Sequence, residues 1–378
     1  MANNNKHTGP NVPALRFPEF SGEWESCTLG DITNNFSRRN KDRIQYPMFS
    51  VTNNRGFVPQ SEQFEDREMV GEDIQAYKVI EKGDFAYNPA RINVGSIAKY
   101  EGNGKCMISS LYVCFNTIDR IDRDWFMHLL KTPKMNFYYN LNGEGGVRVY
   151  LFYPNFARIR SSYPSLAEQK KIAAMLSLID ERIATQSKII EEQETLLKSL
   201  ADRMFSENQY SCGLSELVDI VKGKQVNADT LSEEGDYYVM NGGVAPSGYY
   251  SEYNVPAGSI SISEGGNSCG YVQFNEKPFW SGGHCYSLRA KSDIVDYKYL
   301  YYFLKAKQSD VMALRIGSGL PNIQKKDIEK FTVSFPSMVQ QLRYVKVLDA
   351  VSEQLDAEKS ILVLYHKQKE HLLSEMFI

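Results

Sequence analysis

Residues 163–205 read YPSLAEQKKIAAMLSLIDERIATQSKIIEEQETLLKSLADRMF, and this stretch decides the fold of the chain. An aromatic-Pro-Ser turn signal is followed by about forty residues that have helical spacing and contain no Gly or Pro. The same layout returns at residues 335–377, FPSMVQQLRYVKVLDAVSEQLDAEKSILVLYHKQKEHLLSEMF, and aligns at an offset of 172 without a gap. A gapless internal match of this length indicates a tandem repeat.

The two stretches share identical residues and a heptad pattern. The identical pairs are Pro164/Pro336, Ser165/Ser337, Gln169/Gln341, Leu176/Leu348, Glu181/Glu353, Ile189/Ile361, Leu200/Leu372, Met204/Met376 and Phe205/Phe377. Apolar residues recur seven apart in both, with polar interruptions at Gln186 and Gln193 in the first copy and at Glu358 and Tyr365 at the matching positions of the second. This pattern is typical of coiled coils. A helix of about forty residues is roughly 60 Å long, so each copy predicts a rigid spacer.

The rest of the chain predicts two strand-rich globular domains of similar outline. Residues 1–17 are polar and are assigned to a disordered lead-in. The domains then follow as 18–162, the spacer helix 163–205, a second globular domain 206–334 and the second helix 335–378. Short strands are expected at Tyr46–Thr52, Val79–Asn88 and Ile108–Phe115, and short helices at Asp124–Leu130 and Tyr297–Lys307. The predicted fold class is therefore α+β, built as a tandem pseudo-twofold repeat.

Composition excludes several classes of protein. The 378 residues are 42% hydrophobic and 24% charged, and the net charge is −3. There is no apolar run long enough to span a membrane and no secretory signal at the N-terminus. Six cysteines without a C-x-x-C pair argue against a zinc site and favour a reduced, cytoplasmic protein. Because the chain is nearly neutral, a nucleic-acid site would have to be a local patch.

Motifs for catalysis are missing from the sequence. An amino-group methyltransferase needs an Asn/Asp-Pro-Pro-aromatic motif, and Asn88-Pro89-Ala90 lacks both the second Pro and the ring. A Gly-x-Gly cofactor turn after a strand is also missing, and the five histidines have no metal-ligand spacing. We therefore interpret the chain as non-catalytic, with no cofactor and no metal of its own.

The sequence resembles the specificity (S) subunits of type I restriction-modification systems. The resemblance rests on Leu15–Phe20 followed by Trp24, on Leu29-Gly30-Asp31-Ile32, on Tyr163–Ile172, and on the Pro-x-x-x-x-Gln entry into both long helices. The second copy departs from the commoner pattern, with Val339-Gln340 where the first has Ala167-Glu168. We expect that difference to alter contacts with partners.

This resemblance implies a function, a layout and partners. It implies two target-recognition domains, each of which reads one half of a split site in double-stranded DNA. The two long helices would pack antiparallel, separate these domains and dock two modification (methyltransferase) subunits. S-adenosylmethionine would be bound by those subunits. Restriction (motor-nuclease) subunits, which use ATP and Mg, would complete the complex.

Candidate DNA contacts are the basic and amide side chains in loops, because Arg and Lys suit guanine and phosphate whereas Asn and Gln suit adenine. In the first domain they are Arg38, Arg39, Lys41, Arg43, Asn53, Asn54, Arg55, Arg91, Asn93 and Arg148. In the second they are Lys222, Lys224, Gln225, Asn241, Asn267, His284, Arg315, Asn322, Gln324, Lys325 and Lys326.

Two other functions remain open from the sequence. The near-neutral charge is also compatible with a coiled-coil scaffold whose globular domains bind protein partners. A self-sufficient DNA-modifying enzyme is the third possibility, and the missing motifs argue against it.

Overall fold

The computed structural model describes residues 11–63, 74–145, 149–206, 209–317, 319 and 321–378. The chain divides into two compact units. Unit 1 comprises Met1–Thr185 and Leu362–Ile378, and unit 2 comprises Gln186–Ile361. Each unit therefore holds one globular segment and a part of each long helix.

Unit 1 consists of short strands and helices around one long-helix segment from each repeat. Its strands are β1 (Glu25–Thr28), β2 (Thr33–Phe36), β3 (Phe49–Thr52), β4 (Gly56–Pro59), β5 (Lys78–Ile80), β6 (Phe85–Tyr87), β7 (Ile97–Lys99), β8 (Cys106–Ile108), β9 (Val113–Thr117) and β10 (Arg160–Tyr163). Its helices are α1 (Leu29–Ile32), α2 (Gln60–Gln63), α3 (Arg123–Leu130), α4 (Pro133–Asn142), α5 (Tyr153–Ala157) and the first part of the long helix α6 (Leu166–Met204). Turns of 3-10 helix cover Ile74–Ala76 and Ile92–Val94.

Unit 2 has a matching series of elements. Its strands are β11 (Tyr210–Gly213), β12 (Val218–Lys222), β13 (Tyr237–Met240), β14 (Tyr249–Tyr250), β15 (Ser259–Ser263), β16 (Val272–Asn275), β17 (Trp280–Ser281), β18 (Cys285–Ala290) and β19 (Thr332–Phe335). Its helices are α7 (Leu214–Leu217), α8 (Tyr297–Ala306), α9 (Gln308–Ala313), α10 (Lys325–Glu329) and the first part of the long helix α11 (Met338–Glu375). A 3-10 turn covers Ala228–Thr230.

The central sheet and one strand pair have the same topology in both units, whereas the smaller sheets differ: β3-β4 and β5-β8 in unit 1, and β14-β13-β17 in unit 2. The central sheet has the order β2-β9-β6-β7 in unit 1 and β12-β18-β15-β16 in unit 2, with all neighbours antiparallel. A separate strand pair, β1-β10 in unit 1 and β11-β19 in unit 2, leads into each long helix. The predicted α+β class with a tandem repeat is confirmed.

The hydrophobic core of each unit includes residues from the start of one long helix and from the end of the other. In unit 1, Leu176 of α6 and Phe377, which follows α11, share a core with Trp125. In unit 2, Leu348 of α11 and Phe205, which follows α6, share a core cluster. The helix segments in each unit are thus antiparallel. The predicted heptad interruption Gln186 donates through Nε2 to a Glu358 carboxylate oxygen at 2.5 Å, within unit 2.

The repeated Gln at the start of each long helix fixes the preceding domain. Gln169 is fully buried; its Oε1 accepts the Asp122 backbone N–H at 2.7 Å, and its Nε2 donates to the carbonyls of Arg120 and Pro164. Gln341 makes the same set in unit 2, with the Asp296 N–H and the carbonyls of Ile294 and Pro336. Asp122 and Asp296 in turn cap α3 and α8. The Pro-x-x-x-x-Gln pattern therefore joins two helices in each unit.

Residues 11–17, which we assigned to a disordered lead-in, instead pack within unit 1. The Arg16 guanidinium donates to both carboxylate oxygens of Glu168 at 2.8 Å, and Glu168 is buried. Asn11 donates to the Trp24 carbonyl at 2.6 Å. The difference between Glu168 and the matching Gln340 thus has an intramolecular reason, because Glu168 pairs with the lead-in. Residues 1–10 lie outside the described part of the chain.

Two expected strands are each divided in the structure. The stretch Val79–Asn88 is interrupted at Gly83, whose φ of 88° turns the chain between β5 and β6. An L side chain rarely adopts this conformation, so glycine sets the turn. The stretch Ile108–Phe115 is divided between β8 and β9 by a turn at Ser109–Tyr112, where the Tyr112 N–H donates to the Ser109 carbonyl. None of the helices in the described ranges has the length and apolar character needed to cross a bilayer.

A buried histidine makes the stability of unit 1 depend on pH. Burial of His128 in α3 lowers its imidazole pKa from 6.5 to about 4, although the Asp180 carboxylate opposes this shift. Unfolded His128 binds a proton below pH 6.5 while the folded form stays neutral, so stability is lost as the pH falls from 6.5 towards 4. We expect a loss of about 3 kcal/mol in unfolding free energy.

Urea titrations of wild type and His128→Leu across this pH range measure that loss. The His128→Leu variant should lack this part of the pH dependence. His366→Leu, which removes an exposed histidine of α11, is the matched control and should follow wild type. If the unfolding free energy of His128→Leu fell with pH as steeply as that of wild type, His128 would not be the cause of the loss.

Candidate nucleic-acid interface

In unit 1 two loops with predicted DNA contacts meet at one end of the sheet. The hairpin between β3 and β4 presents Asn53, Asn54 and Arg55, and the loop between β6 and β7 presents Arg91 and Asn93. These loops are joined by the Ser96 hydroxyl, which donates to the Val51 carbonyl at 2.7 Å. The structure therefore brings five of the predicted residues onto one surface.

Gly95 permits this approach. Its φ is 99°, and a Cβ there would lie 2.9 Å from the Asn53 carbonyl oxygen. A side chain would thus force the hairpin away from the loop. The loop is further fixed by Asn93, whose side chain donates to the Asn140 side chain at 3.0 Å. Arg91, in contrast, is exposed.

A third loop of unit 1 follows α4. The backbones of Glu144 and Tyr150 exchange two hydrogen bonds of 2.8 Å, and the Leu151 N–H donates to the Pro89 carbonyl in the β6–β7 loop. The ends of the 144–150 segment therefore adjoin the same surface. The predicted contact Arg148 lies outside the described residues.

Unit 2 has a comparable arrangement, in which the serine is the last residue of β15, at the start of the loop rather than at its end. The Ser263 hydroxyl donates to the Gly242 carbonyl at 2.7 Å, which joins the end of β13 to the loop between β15 and β16. That loop ends at Gly270, with a φ of 89°, as the β6–β7 loop of unit 1 does at Gly95. The predicted contact Asn267 is exposed in the loop. Asn322 takes part in a two-bond backbone hairpin with Ile316, matching Glu144 and Tyr150.

Glycines hold three further predicted residues close together in unit 2. The Asn241 side chain accepts the His284 backbone N–H at 3.1 Å. A Cβ on Gly282 would lie 2.6 Å from Asn241 Oδ1, and one on Gly283 would lie 2.3 Å from Gln225 Oε1. Asn241, His284 and Gln225 therefore share one surface, and its compactness depends on the absence of side chains at these two glycines.

The remaining candidates of unit 2 lie on its surface as well. Lys224 and Arg315 are exposed, and Lys325 and Lys326 occupy the first turn of α10, next to the half-buried N-cap residue Gln324. Lys325 forms an i,i+4 ion pair with Glu329 at 3.7 Å. Such exposed ion pairs are weak, so the Lys325 ammonium can turn to an anion.

A buried carboxylate that the sequence analysis missed lies beneath the unit 2 surface. Glu264 is 9% exposed, and its Oε1 accepts from Lys222 Nζ at 2.6 Å and from the Tyr286 hydroxyl at 2.9 Å. Burial, followed by the Glu264 hydrogen bond, raises the pKa of Tyr286, so its hydroxyl stays a donor. The signal in the sequence was weak: an acidic residue between the strand Ser259–Ser263 and a Gly-Gly pair.

Arg38 differs from the other members of the predicted basic run. Its guanidinium donates to Asp84 at 2.6 Å, forms an ion pair with Glu81 at 3.0 Å and lies over the ring of Phe36. Burial raises the pKa of Asp84, an effect that Arg38 opposes. Arg38 is thus held within unit 1. Its neighbours in the run are exposed: Arg39, Lys41 and Arg43.

Both surfaces can donate and accept hydrogen bonds. Exposed amides, guanidinium groups and ammonium groups suit base edges and phosphates. Within the described ranges, no group of three or more His, Cys, Asp or Glu residues is arranged to hold a metal ion. The two surfaces occupy equivalent places in the repeat, which is what two readers of similar ligands require.

Comparison with known proteins gives the same assignment for both halves of the chain. The family model for the type I restriction modification DNA specificity domain matches residues 21–195 and again residues 210–363. A protein named as a type I specificity subunit in Mycoplasma genitalium is 30% identical over 166 residues, which are 43% of this chain and 43% of that protein. The chain thus spans less than half the length of this relative.

Other matches extend over nearly the whole chain. A protein named as a type I restriction enzyme specificity subunit in Methanocaldococcus jannaschii is 22% identical. The match covers 96% of this chain and 95% of that protein. The crystal structure of a type I restriction-modification S subunit from M. genitalium superposes with a TM-score of 0.68 at 18% identity, covering 97% of this chain and 99% of that one. At this identity the structural likeness supports the fold alone.

Proposed function

The chain belongs to the family of type I restriction modification DNA specificity domains, and from this premise we propose that it is the DNA-reading subunit of a type I restriction-modification complex. Each unit reads one half of a bipartite site. The observation that carries the proposal is the recurrence of one loop arrangement, rich in amide and basic side chains, at the same place in both units. The family model matches once in each half of the chain, which agrees with one DNA-reading domain for each half-site.

Partners supply the chemistry in this proposal. The chain recognises double-stranded DNA without catalysing a reaction, and two modification subunits bind S-adenosylmethionine and methylate the site. Restriction subunits that use ATP and Mg join them, and the complex acts in the cytoplasm. Support for docking on the long helices comes from apolar side chains that they leave exposed: Leu178 and Leu196 on α6, and Val339, Leu342, Val347, Val363 and Leu364 on α11.

The DNA contacts of unit 1 that we propose are Arg39, Lys41, Arg43, Asn53, Asn54, Arg55, Arg91, Asn93 and Arg148. Those of unit 2 are Lys222, Lys224, Gln225, Asn241, Asn267, His284, Arg315, Asn322, Gln324, Lys325 and Lys326. Arg38 is retained as a support of the unit 1 loops, because replacing it would leave the buried Asp84 carboxylate without its cation.

Paired variants in the two units test the one-unit, one-half-site assignment. We expect Arg55→Ala with Arg91→Ala to relax or weaken selection of bases in one half-site only, and Asn267→Ala with Gln225→Ala to do so in the other half-site only. Each lost base contact should reduce discrimination by about 1–3 kcal/mol. Sequencing of a randomised duplex pool retained by the complex with its methyltransferase subunit measures both halves at once.

Exposed basic residues outside the proposed contacts provide matched controls. Arg158→Ala in unit 1 and Lys277→Ala in unit 2 should leave the selected sequence unchanged. If both paired variants altered the same bases, the assignment of units to half-sites would be wrong. A wild-type complex that selects no sequence from the pool would favour the protein scaffold instead.

A further inference from the structure

We infer that Lys222 reads a guanine in the half-site of unit 2 and that Glu264 is the residue that positions it. The inference rests on the proposed function, because it names the base and the mechanism of one contact. It starts from the ion pair between Lys222 Nζ and Glu264 Oε1 at 2.6 Å. The Lys222 side chain is 55% exposed, whereas that of Glu264 is 11% exposed.

Glu264 provides a rigid anchor. Its backbone N–H donates to the His284 carbonyl at 2.9 Å, and its own carbonyl accepts the Ile323 N–H at 2.8 Å. The Tyr286 hydroxyl donates to the same Oε1 that Lys222 uses. An ordinary surface lysine has a mobile ammonium on a four-carbon chain, so its donors carry little directional information. Anchored to Glu264, the Lys222 ammonium instead has a fixed place.

The charge balance favours a base over a phosphate as the ligand of Lys222. The Glu264 carboxylate offsets the ammonium charge, which weakens the attraction to phosphate on which sequence-independent binding depends. The directional N–H donors remain, because an ammonium has three and Glu264 is the partner of one within the described residues. Guanine O6 and N7 are the acceptors in the major groove that suit a lysine.

Glu264 itself is not placed to read a base. Its second oxygen, Oε2, is buried and makes no hydrogen bond within the described structure; His284 Nδ1 lies 3.8 Å away. A cytosine amino group would need access to that oxygen. Glu264 therefore acts through Lys222, whose exposed end lies beside the surface formed by Asn241, His284 and Gln225.

Selection from a randomised duplex pool by the complex of this chain with its methyltransferase subunit tests the inference. Wild type should select guanine at a position of the unit 2 half-site. The double variant Lys222→Met with Glu264→Gln removes both charges together and leaves no buried carboxylate without its cation. It should lower the preference for that guanine about tenfold and leave the unit 1 half-site unchanged.

Single variants separate reading from positioning. Glu264→Gln should reduce the same guanine preference, and Lys222→Arg, which keeps a guanine donor, should retain most of it. Lys277→Met removes an exposed charge elsewhere in unit 2 and should have no effect on base choice. The salt dependence of binding by the double variant should match that of wild type, because a lysine that contacts a base takes no phosphate contact with it when it is removed.

Three results would overturn the inference. They are a unit 2 half-site without guanine, a guanine preference that survives in the double variant, and an equal loss at every position of both half-sites. Failure of the proposed function has a different signature, since the wild-type complex would then select no bipartite sequence at all.

Discussion

Replacing Phe377 with alanine is expected to lower the unfolding free energy of unit 1 by about 3–5 kcal/mol. Phe377 follows α11 and belongs to the hydrophobic core of unit 1. Here its ring is buried, stacks on Trp125 with centroids 5.8 Å apart and meets the edge of Trp24 at 6.5 Å. The Leu15 N–H also donates to the Glu375 carbonyl at 2.9 Å, which ties the end of α11 to the lead-in.

Hydrogen exchange measured by mass spectrometry can assign this loss to one unit. Phe377→Ala should reduce protection in unit 1 and leave unit 2 unaffected. The matched variant Phe205→Ala removes the equivalent ring, which packs edge-on against Tyr299 at 5.3 Å, and should reduce protection in unit 2. Phe152→Ala, at an exposed ring, should cost less than about 1 kcal/mol. An unchanged unit 1 in Phe377→Ala would mean that the end of α11 contributes nothing to its core.

The repeat explains why the sequence predicts so much of this fold. The long helices were expected at 163–205 and 335–378, and the structure has Leu166–Met204 and Met338–Glu375. The small shift arises because Tyr163 and Phe335 end the strands that pair with Glu25 and Tyr210. Helical periodicity is local and strong, whereas a strand that precedes a helix is defined by a partner far away in sequence.

The candidate interface shows what local patterns cannot predict. Most of its side chains were identified as loop polar residues, but no pattern indicated that the hairpin at Asn53 would meet the loop at Gly95. That contact is tertiary packing between two separate sheets, and the residues it joins, Val51 with Ser96 and Asn53 with Gly95, lie far apart in the sequence. Glu264 was missed for a related reason. In the sequence, an acidic residue next to two glycines indicates a turn. Its role in holding the Lys222 side chain is visible only in the structure, where Lys222 and Tyr286 both donate to its carboxylate.

Arg38 illustrates another limit of local patterns. A dense basic run is a reasonable guide to a DNA-facing surface, and the neighbours of Arg38 are exposed. The carboxylates that engage Arg38, however, lie more than 40 positions along the chain, at Glu81 and Asp84. Charge counted along the sequence cannot show that a cation is paired with carboxylates in the turn between β5 and β6.

The second large effect is expected at the repeated glutamine. Gln169→Met keeps the side-chain length but leaves the Asp122 N–H and the carbonyls of Arg120 and Pro164 without their partner in a buried place. Each unpaired group costs about 1–3 kcal/mol, so unit 1 should lose about 4 kcal/mol of unfolding free energy. Gln341→Met should do the same in unit 2, where the bond set is identical.

A neighbouring glutamine distinguishes buried hydrogen bonds from a general effect on the helix. Gln340→Met changes a half-buried residue on the same turn of α11 and should shift the unfolding free energy by less than about 0.5 kcal/mol. Denaturant titrations of the three single variants, with hydrogen exchange to locate the change, supply the measurement. If Gln340→Met and Gln341→Met were equally destabilising, the bonds to Asp296, Ile294 and Pro336 would not be the cause.

Combining the two buried substitutions then tests whether each unit depends on its own glutamine. Gln169 and Gln341 have no partner in common, so their effects should add within about 0.5 kcal/mol in a chain that carries both. Hydrogen exchange should show that unit 1 in the double variant matches unit 1 in Gln169→Met, and that unit 2 matches Gln341→Met. A loss of protection in unit 2 caused by Gln169→Met alone would contradict this independence. The Pro-x-x-x-x-Gln motif would then stabilise more than the unit in which it lies.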